Sequence, residues 1–189
     1  MQFILGQYVL VALLPHFWGV RAVPGTANIV LFQQANLCGG GTSATCADLD
    51  PGVCCDFGSF FGACMVAIPQ SPISPFTAAA FRSGNCQNEL EQAQQTVCIC
   101  PTGDASINGV KWLQATNVPG KRDLESSNCT TVKPDTFTHT ENGVQHVVKG
   151  ADSPDIVASI LQGLEDGSLT DEDLKKTILS FGVKTHLSE

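Results

Sequence analysis

The sequence predicts a small, mostly β, disulfide-rich domain followed by a linker and a C-terminal αα-hairpin. Three observations predict it. Eight cysteines (Cys38, Cys46, Cys54, Cys55, Cys64, Cys86, Cys98 and Cys100) crowd into one part of a 189-residue chain, an even count of the kind that staples small secreted domains. Short β-branched and apolar runs bounded by Gly and Pro punctuate the same part, which is a strand signature. From Ser153 onward the apolar spacing takes a helical period. The expected division is a signal peptide over 1–22, a disulfide-rich β domain over 23–132, a linker over 133–150 and an acidic helical hairpin over 151–189.

The N-terminal run MQFILGQYVLVALLPHFWGVRA is apolar, carries no charge before Arg21 and ends in Val20-Arg21-Ala22. Those features fit a secretory leader cleaved after Ala22. Pro15-His16 interrupts the run and leaves it short for a bilayer span. No later stretch is apolar enough to span, and no apolar C-terminal tail suggests a lipid anchor. The expected location is extracellular, with no membrane association once the leader is removed. Disulfides persist in that compartment. Zinc sites favour wider, repeated cysteine pairs, whereas Cys54 and Cys55 are adjacent and a single residue separates Cys98 from Cys100. Neither a metal nor any other cofactor is expected.

The formal charge is −8, and it is unevenly spread. Val23 to Arg122 holds four basic and six acidic residues, whereas Asp123 to Glu189 holds five Lys against twelve carboxylates. No basic footprint for nucleic acid is present.

In chain order, Asn28–Phe32 reads as a buried strand opened by Pro-Gly and closed by three glycines. Asp50-Pro51-Gly52 reads as a turn in which Gly52 takes a positive φ. Cys64–Ile68 is a second strand, stopped by Pro69. Gln70–Phe76 carries Pro72 and Pro75 and is a loop or sheet edge. Thr77–Phe81 is a short strand or helix, and Gln/Glu-rich Asn88–Gln95 one or two helical turns. Thr96–Cys100 reads as a third strand, in which Cys98 and Cys100 share a face, whereas Cys54 and Cys55 must staple in two directions. Gly109–Leu113 is a fourth strand. Polar, Thr-rich Lys133–Gly150 is a linker or a hairpin. Ser153 caps a helix with Pro154 in its first turn and Ile156, Val157, Ile160, Leu161 and Leu164 as its stripe. Thr170 caps a second helix with Asp171, Glu172 and Asp173 at its positive end, Leu174, Ile178 and Phe181 inside, and Gly182 as its stop.

The chemistry these residues permit is narrow. Between Val23 and Arg122 there is no histidine, so a Ser–His or Cys–His pair cannot form there. With the eight cysteines oxidised, no thiolate nucleophile remains in that region. Asp48 and Asp50 could serve as a carboxylate pair for glycoside hydrolysis, but Ala47–Gly52 is better explained by turn chemistry. Gln162 and Leu164 stand where a calcium loop through Gly167 would need oxygen donors, so Asp166–Thr170 reads as a charged turn. His139 and His146 read as solvated loop histidines. Phe57, Phe60 and Phe61 form the candidate binding loop for sugar or protein, with core packing the favoured account for two of them. Catalytic residues: none.

Three resemblances add to this reading. The Cys38–Cys64 run, with its Gly-rich start and Gly52-Val53-Cys54-Cys55 followed by aromatics, resembles a hevein-type chitin-binding module, with longer spacings of seven and eight residues between its cysteines. The adjacent pair is similar to fungal hydrophobins, which carry two such pairs. Phe32 followed seven residues later by Gly39 resembles a βγ-crystallin or killer-toxin-like Greek key. The layout as a whole resembles the small secreted cysteine-rich, effector-like proteins of filamentous fungi. That resemblance implies a non-enzymatic role outside the cell, toward an extracellular protein or wall polysaccharide.

Three processing features complete the reading. Asn128-Cys129-Thr130 is an N-glycosylation sequon. Lys121-Arg122 is a dibasic site at which cleavage would divide the cysteines into eight and one and release a self-contained four-disulfide domain. Cys129, the ninth, is left unpaired or joins two chains in a disulfide-linked dimer.

Overall fold

A computed structural model describes residues 25–35, 38–60, 62–70, 75–102, 106–114 and 130–187. The signal peptide, Phe61, Lys121, Arg122, Asn128 and Cys129 lie outside them. Among the described residues the chain runs β1 (Ala27–Phe32), β2 (Gly41–Leu49), β3 (Cys54–Asp56), β4 (Cys64–Pro69), β5 (Phe76–Ser83), β6 (Gln87–Gln94), β7 (Gly109–Gln114), β8 (Thr131–Val132), β9 (Thr136–Glu141) and β10 (Val144–Lys149). Two helices, α1 (Pro154–Glu165) and α2 (Asp171–Phe181), and a last strand, β11 (Val183–His186), complete it.

The strands form two sheets. One has the order β11-β10-β9-β2-β1-β4 and the other β6-β5-β7-β3-β8. Directly paired residues share a face of a sheet. The register pairs Leu31 with Ala44 and Met65, Ile29 with Cys46 and Ala67, and Ala44 with Phe137, so these side chains form one apolar layer. Phe57, Phe76, Ala78, Ala80, Val110 and Trp112 supply the facing layer from the second sheet and its connections. The same face of the first sheet continues onto β9 and β10, where Val157, Ile160, Leu164, Leu174 and Ile178 of the helices join the core. One sheet face is thus covered half by a second sheet and half by a helical hairpin. Lys133 ties the two covers together, its Nζ lying 3.1 Å from both Asp56 and Glu165. Burial opposes the charge on that ammonium, but hydrogen bonds to the two carboxylates outweigh it and raise its pKa.

The strands β1, β4 and β7 and both helices stand where the sequence places them. Gly52 has φ +83° and sits in a turn closed by the Val53 amide on the Asp50 carbonyl at 3.3 Å. Thr170 accepts from the Asp173 amide at 3.2 Å, whereas Ser153 stands at its helix N-cap without a side-chain capping bond. Gly182 ends α2 with φ −71° rather than a left-handed turn, because the chain passes straight into β11. A Cβ there would lie 3.0 Å from the Val147 amide nitrogen. The turn between the helices is held by the Asp166 carboxylate, which accepts from the Ser168 amide at 2.9 Å. Hydrogen bonding to Ser168 lowers its pKa.

Two expectations change, one strand appears that was not expected, and one open alternative resolves. Gln87–Gln94 is a strand, not helical turns: the reversal at Cys86 (φ +54°) carries it back along β5, which it pairs as the polar edge of its sheet. Gly41–Leu49 is a nine-residue strand that small residues had concealed. Thr96–Cys100 is no strand beyond one bridge, at Ile99 to Met65. The stretch 133–150 is the hairpin β9–β10 rather than a linker, and it is woven into the first sheet against β2. The second sheet ends at β8, which pairs β3 in parallel, but strands on both sides of residue 132 share the first sheet, so the division expected there is not a seam in that sheet.

Candidate functional site

The eight cysteines form four bridges, Cys38–Cys98, Cys46–Cys55, Cys54–Cys86 and Cys64–Cys100. The adjacent pair does staple in two directions. Cys55 points into the main core and joins β3 to β2 across the two sheets, while Cys54 points to the far face, where Ala79, Phe81 and Cys86 form a separate apolar cluster. Lys111 is 1% exposed on that face, its Nζ 5.9 Å from the centroid of the Phe81 ring, within cation–π range.

The other two bridges meet at one corner. Cys98 is exposed, Cys38 and Cys100 are half-buried and Cys64 is fully buried. Cys98 Sγ lies 3.5 Å from Cys100 Sγ, and the sulfurs of Cys38, Cys98 and Cys100 lie within 4.8 Å of one another. Cys38 Sγ also touches the Met65 carbonyl oxygen at 3.2 Å. All of these sulfurs are bonded, so these contacts involve no S–H donor. The segment carrying Cys98 and Cys100 is held by reciprocal Met65–Ile99 backbone hydrogen bonds of 2.8 and 2.9 Å.

Two rings of the aromatic loop are buried. Phe57 and Phe60 are 2% and 1% exposed; Phe60 stacks edge-on against Phe137 at 6.3 Å. Both rings pack in the core, the account favoured for two of the three, and the Gly-rich loop permits it by folding inward; Phe61 lies outside the described residues. Asp48 and Asp50 are both exposed. The Asp48 amide donates to the Asn28 side chain at 3.0 Å, and the Asp50 carbonyl closes the turn through Gly52.

His139 and His146 are not solvated loop residues. They are direct cross-strand partners on β9 and β10, 6% and 9% exposed, on the sheet face that α2 covers. His139 Nδ1 shares a 3.0 Å hydrogen bond with Thr42 Oγ1, and His139 Nε2 and His146 Nδ1 are buried without a hydrogen-bond partner. Glu141 stands 3.8 Å from His139 Nε2 and is also approached by Lys175 of α2 at 3.5 Å. Burial lowers the His139 pKa below its ordinary 6.5, and the neighbouring Lys175 adds to the effect against the pull of Glu141. The unfolded chain then binds the proton more readily than the folded one. The stability His139 contributes is complete above about pH 6.5 and is lost as the pH falls toward its folded value. Denaturation midpoints taken between pH 7.5 and 5 should therefore fall more steeply for the native chain than for His139→Gln. Parallel profiles for the two would refute this.

The surface the sequence did not reveal is β11. It is the outer strand of its sheet, all four of its residues are exposed, and nothing among the described residues pairs with its outer edge. Phe181, expected inside with Leu174 and Ile178, is instead 58% exposed in the last turn of α2, and with Val183 and Leu187, 66% and 50% exposed, it gathers there. The signal was Val183 and Thr185, two β-branched residues in alternation after Gly182, too short to register as a strand.

No helix among the described residues is long and apolar enough to cross a membrane. The four disulfides are consistent with an extracellular protein. No curated protein and no solved structure matches the chain. A family model described as ARB_05566_N, N-terminal domain, matches residues 28–135, from the first strand to the residue before β9. Since that match spans more than half of the sequence, the chain belongs to the ARB_05566_N family.

Proposed function

We propose that the protein is secreted and acts outside the cell as a non-enzymatic, effector-like binding protein. Its ligand is an extended segment of a partner polypeptide that adds to the edge of β11. The observation that carries this reading is the apolar, unpaired edge itself, with Phe181, Val183 and Leu187 exposed around a fully exposed strand. An open strand edge offers backbone donors and acceptors to an incoming strand, and flanking apolar side chains add affinity. The other edges are less suited. Ile99 bridges to Met65 on β4, β8 has two residues, and β6 is lined with Gln and Glu. Lys184 and His186 stand on β11 with no carboxylate between Gly182 and Leu187, so an acidic or neutral segment is favoured over a basic one.

Panning a random peptide library on the immobilised full-length chain tests the proposal. Enriched peptides should alternate apolar residues, and Val183→Lys should weaken them about tenfold, the worth of one apolar contact of ~1.4 kcal/mol. Absence of enrichment, or enrichment indifferent to Val183→Lys, would overturn it. So would a concentration-dependent dimer that buries the same edge. Retention on insoluble chitin or β-glucan without peptide binding would favour a polysaccharide ligand instead.

A further inference from the structure

Two of the four disulfides touch. Cys98 and Cys100 each carry one sulfur of a different bridge, in van der Waals contact at 3.5 Å. One bridge, Cys38–Cys98, reaches the surface, and the other ends at Cys64, which is 0% exposed. We propose that this corner is a thiol-capture site. An incoming thiol that opens Cys38–Cys98 is retained, because the displaced sulfur closes on Cys100 and the electron pair comes to rest on Cys64.

The steps balance without an oxidant. A thiolate RS⁻ bonds to Cys38 Sγ, the Cys38–Cys98 bond breaks, and its electron pair leaves with Cys98. That thiolate attacks Cys100 Sγ, the Cys64–Cys100 bond breaks, and the pair passes to Cys64, which takes the proton originally on RSH. The products are a Cys38–SR mixed disulfide, a Cys98–Cys100 disulfide and a Cys64 thiol. If RS⁻ takes the exposed Cys98 instead, Cys38 is displaced within 4.8 Å of Cys100 and the pair again ends on Cys64.

Burial explains the retention. At an isolated bridge the displaced thiolate stays beside the mixed disulfide and expels the newcomer, since the thiolate is the attacking form. Here the displaced sulfur is consumed. The residue left reduced, Cys64, is 0% exposed, and exchange requires an accessible thiolate. The reaction is stoichiometric capture rather than turnover. Its ligand is any accessible thiol, from a small molecule or a polypeptide.

Mapping all nine cysteines of the full-length chain decides the matter. The chain is treated with limiting glutathione or with a short single-cysteine peptide, quenched, alkylated in denaturant and digested. Molecules carrying the adduct on Cys38 or Cys98 should have Cys64 alkylated and the remaining corner sulfur joined to Cys100, with Cys46–Cys55 and Cys54–Cys86 closed. Reaction with glutathione only identifies a small thiol as the ligand, and reaction with the peptide extends the site to polypeptide thiols. Adducts with Cys64–Cys100 intact, or spread evenly over the four bridges, would overturn the proposal. The double variant Cys64→Ser, Cys100→Ser should lose the adduct several-fold by reversal. Should it fail to fold, the mapping of the native chain stands alone.

Discussion

A chain ending at Arg122 should fail to fold, even though all four disulfides lie before that residue. The missing part supplies β9, which occupies the middle of the six-stranded sheet and pairs with β2 over Gly41–Thr45. It also supplies β8, beside β3, where the Cys54 amide donates to the Thr130 carbonyl at 2.9 Å. Phe137, Val148, Ile160, Leu174 and Ile178, each 2% exposed or less, leave with it. Burying a side chain of this kind contributes about 1.5–3 kcal/mol, so their combined loss is comparable to a typical stability of about 5–15 kcal/mol. It also strips the cover from Phe60 and Ala44. The bridges limit the unfolded ensemble but cannot replace a core. The fragment should show no cooperative melt, and its yield in soluble form should collapse.

The consequence for processing at Lys121-Arg122 is specific. Cleavage after Arg122 in the folded protein leaves two pieces joined by strand pairing on both sheets, so they should elute together under native conditions and separate only in denaturant. A fragment ending at Arg122 that melts as sharply as the whole chain would show that the seam lies where composition and charge suggested. Immediate separation of the cut pieces would show the same.

That seam illustrates what the sequence carried and what it did not. The cysteine count, the turn at Asp50–Val53 and the two helices were legible because each depends on local chemistry: redox compartment, backbone φ, and apolar period with caps. The direction of Cys54 and Cys55 was legible because alternation along a strand is a local rule. The strand β2 was not, since Gly41–Leu49 is mostly small and hydroxylated; it is buried because β1 and β9 flank it, a fact settled by distant residues. For β6 the helix-favouring Glu and Gln lost to pairing with β5, as tertiary context overrides propensity. His139 and His146 looked like solvated loop residues because no helical or strand period surrounds them with apolar side chains. They are buried by α2, some thirty residues further on. In the candidate site, the exposed edge of β11 and the contact of two disulfides were equally invisible, being products of topology.

Replacing Trp112 should produce the largest loss of stability of any single substitution in the β domain. Trp112 is 0% exposed on β7, packed edge-on against Phe76 at 6.1 Å. Its Nε1–H donates to the Leu49 carbonyl at 2.9 Å, which joins one sheet to the other at the end of β2. Its own carbonyl accepts from the Gly52 amide at 2.8 Å and so anchors the turn before β3. Trp112→Ala removes the ring and leaves a cavity, at a cost of about 3–5 kcal/mol. Leaving the Leu49 carbonyl unpaired in a dry site adds ~1–3 kcal/mol. Trp112→Phe separates the two contributions, because it keeps most of the packing and loses only the N–H. It should cost about 1–3 kcal/mol, leaving the remainder to the ring. Guanidinium denaturation followed by far-ultraviolet circular dichroism, with disulfides intact, measures both variants against the native chain. A loss below about 1 kcal/mol for Trp112→Ala would mean that the sheets are held together by the Cys46–Cys55 bridge and the aliphatic layer alone, and that the indole merely fills space.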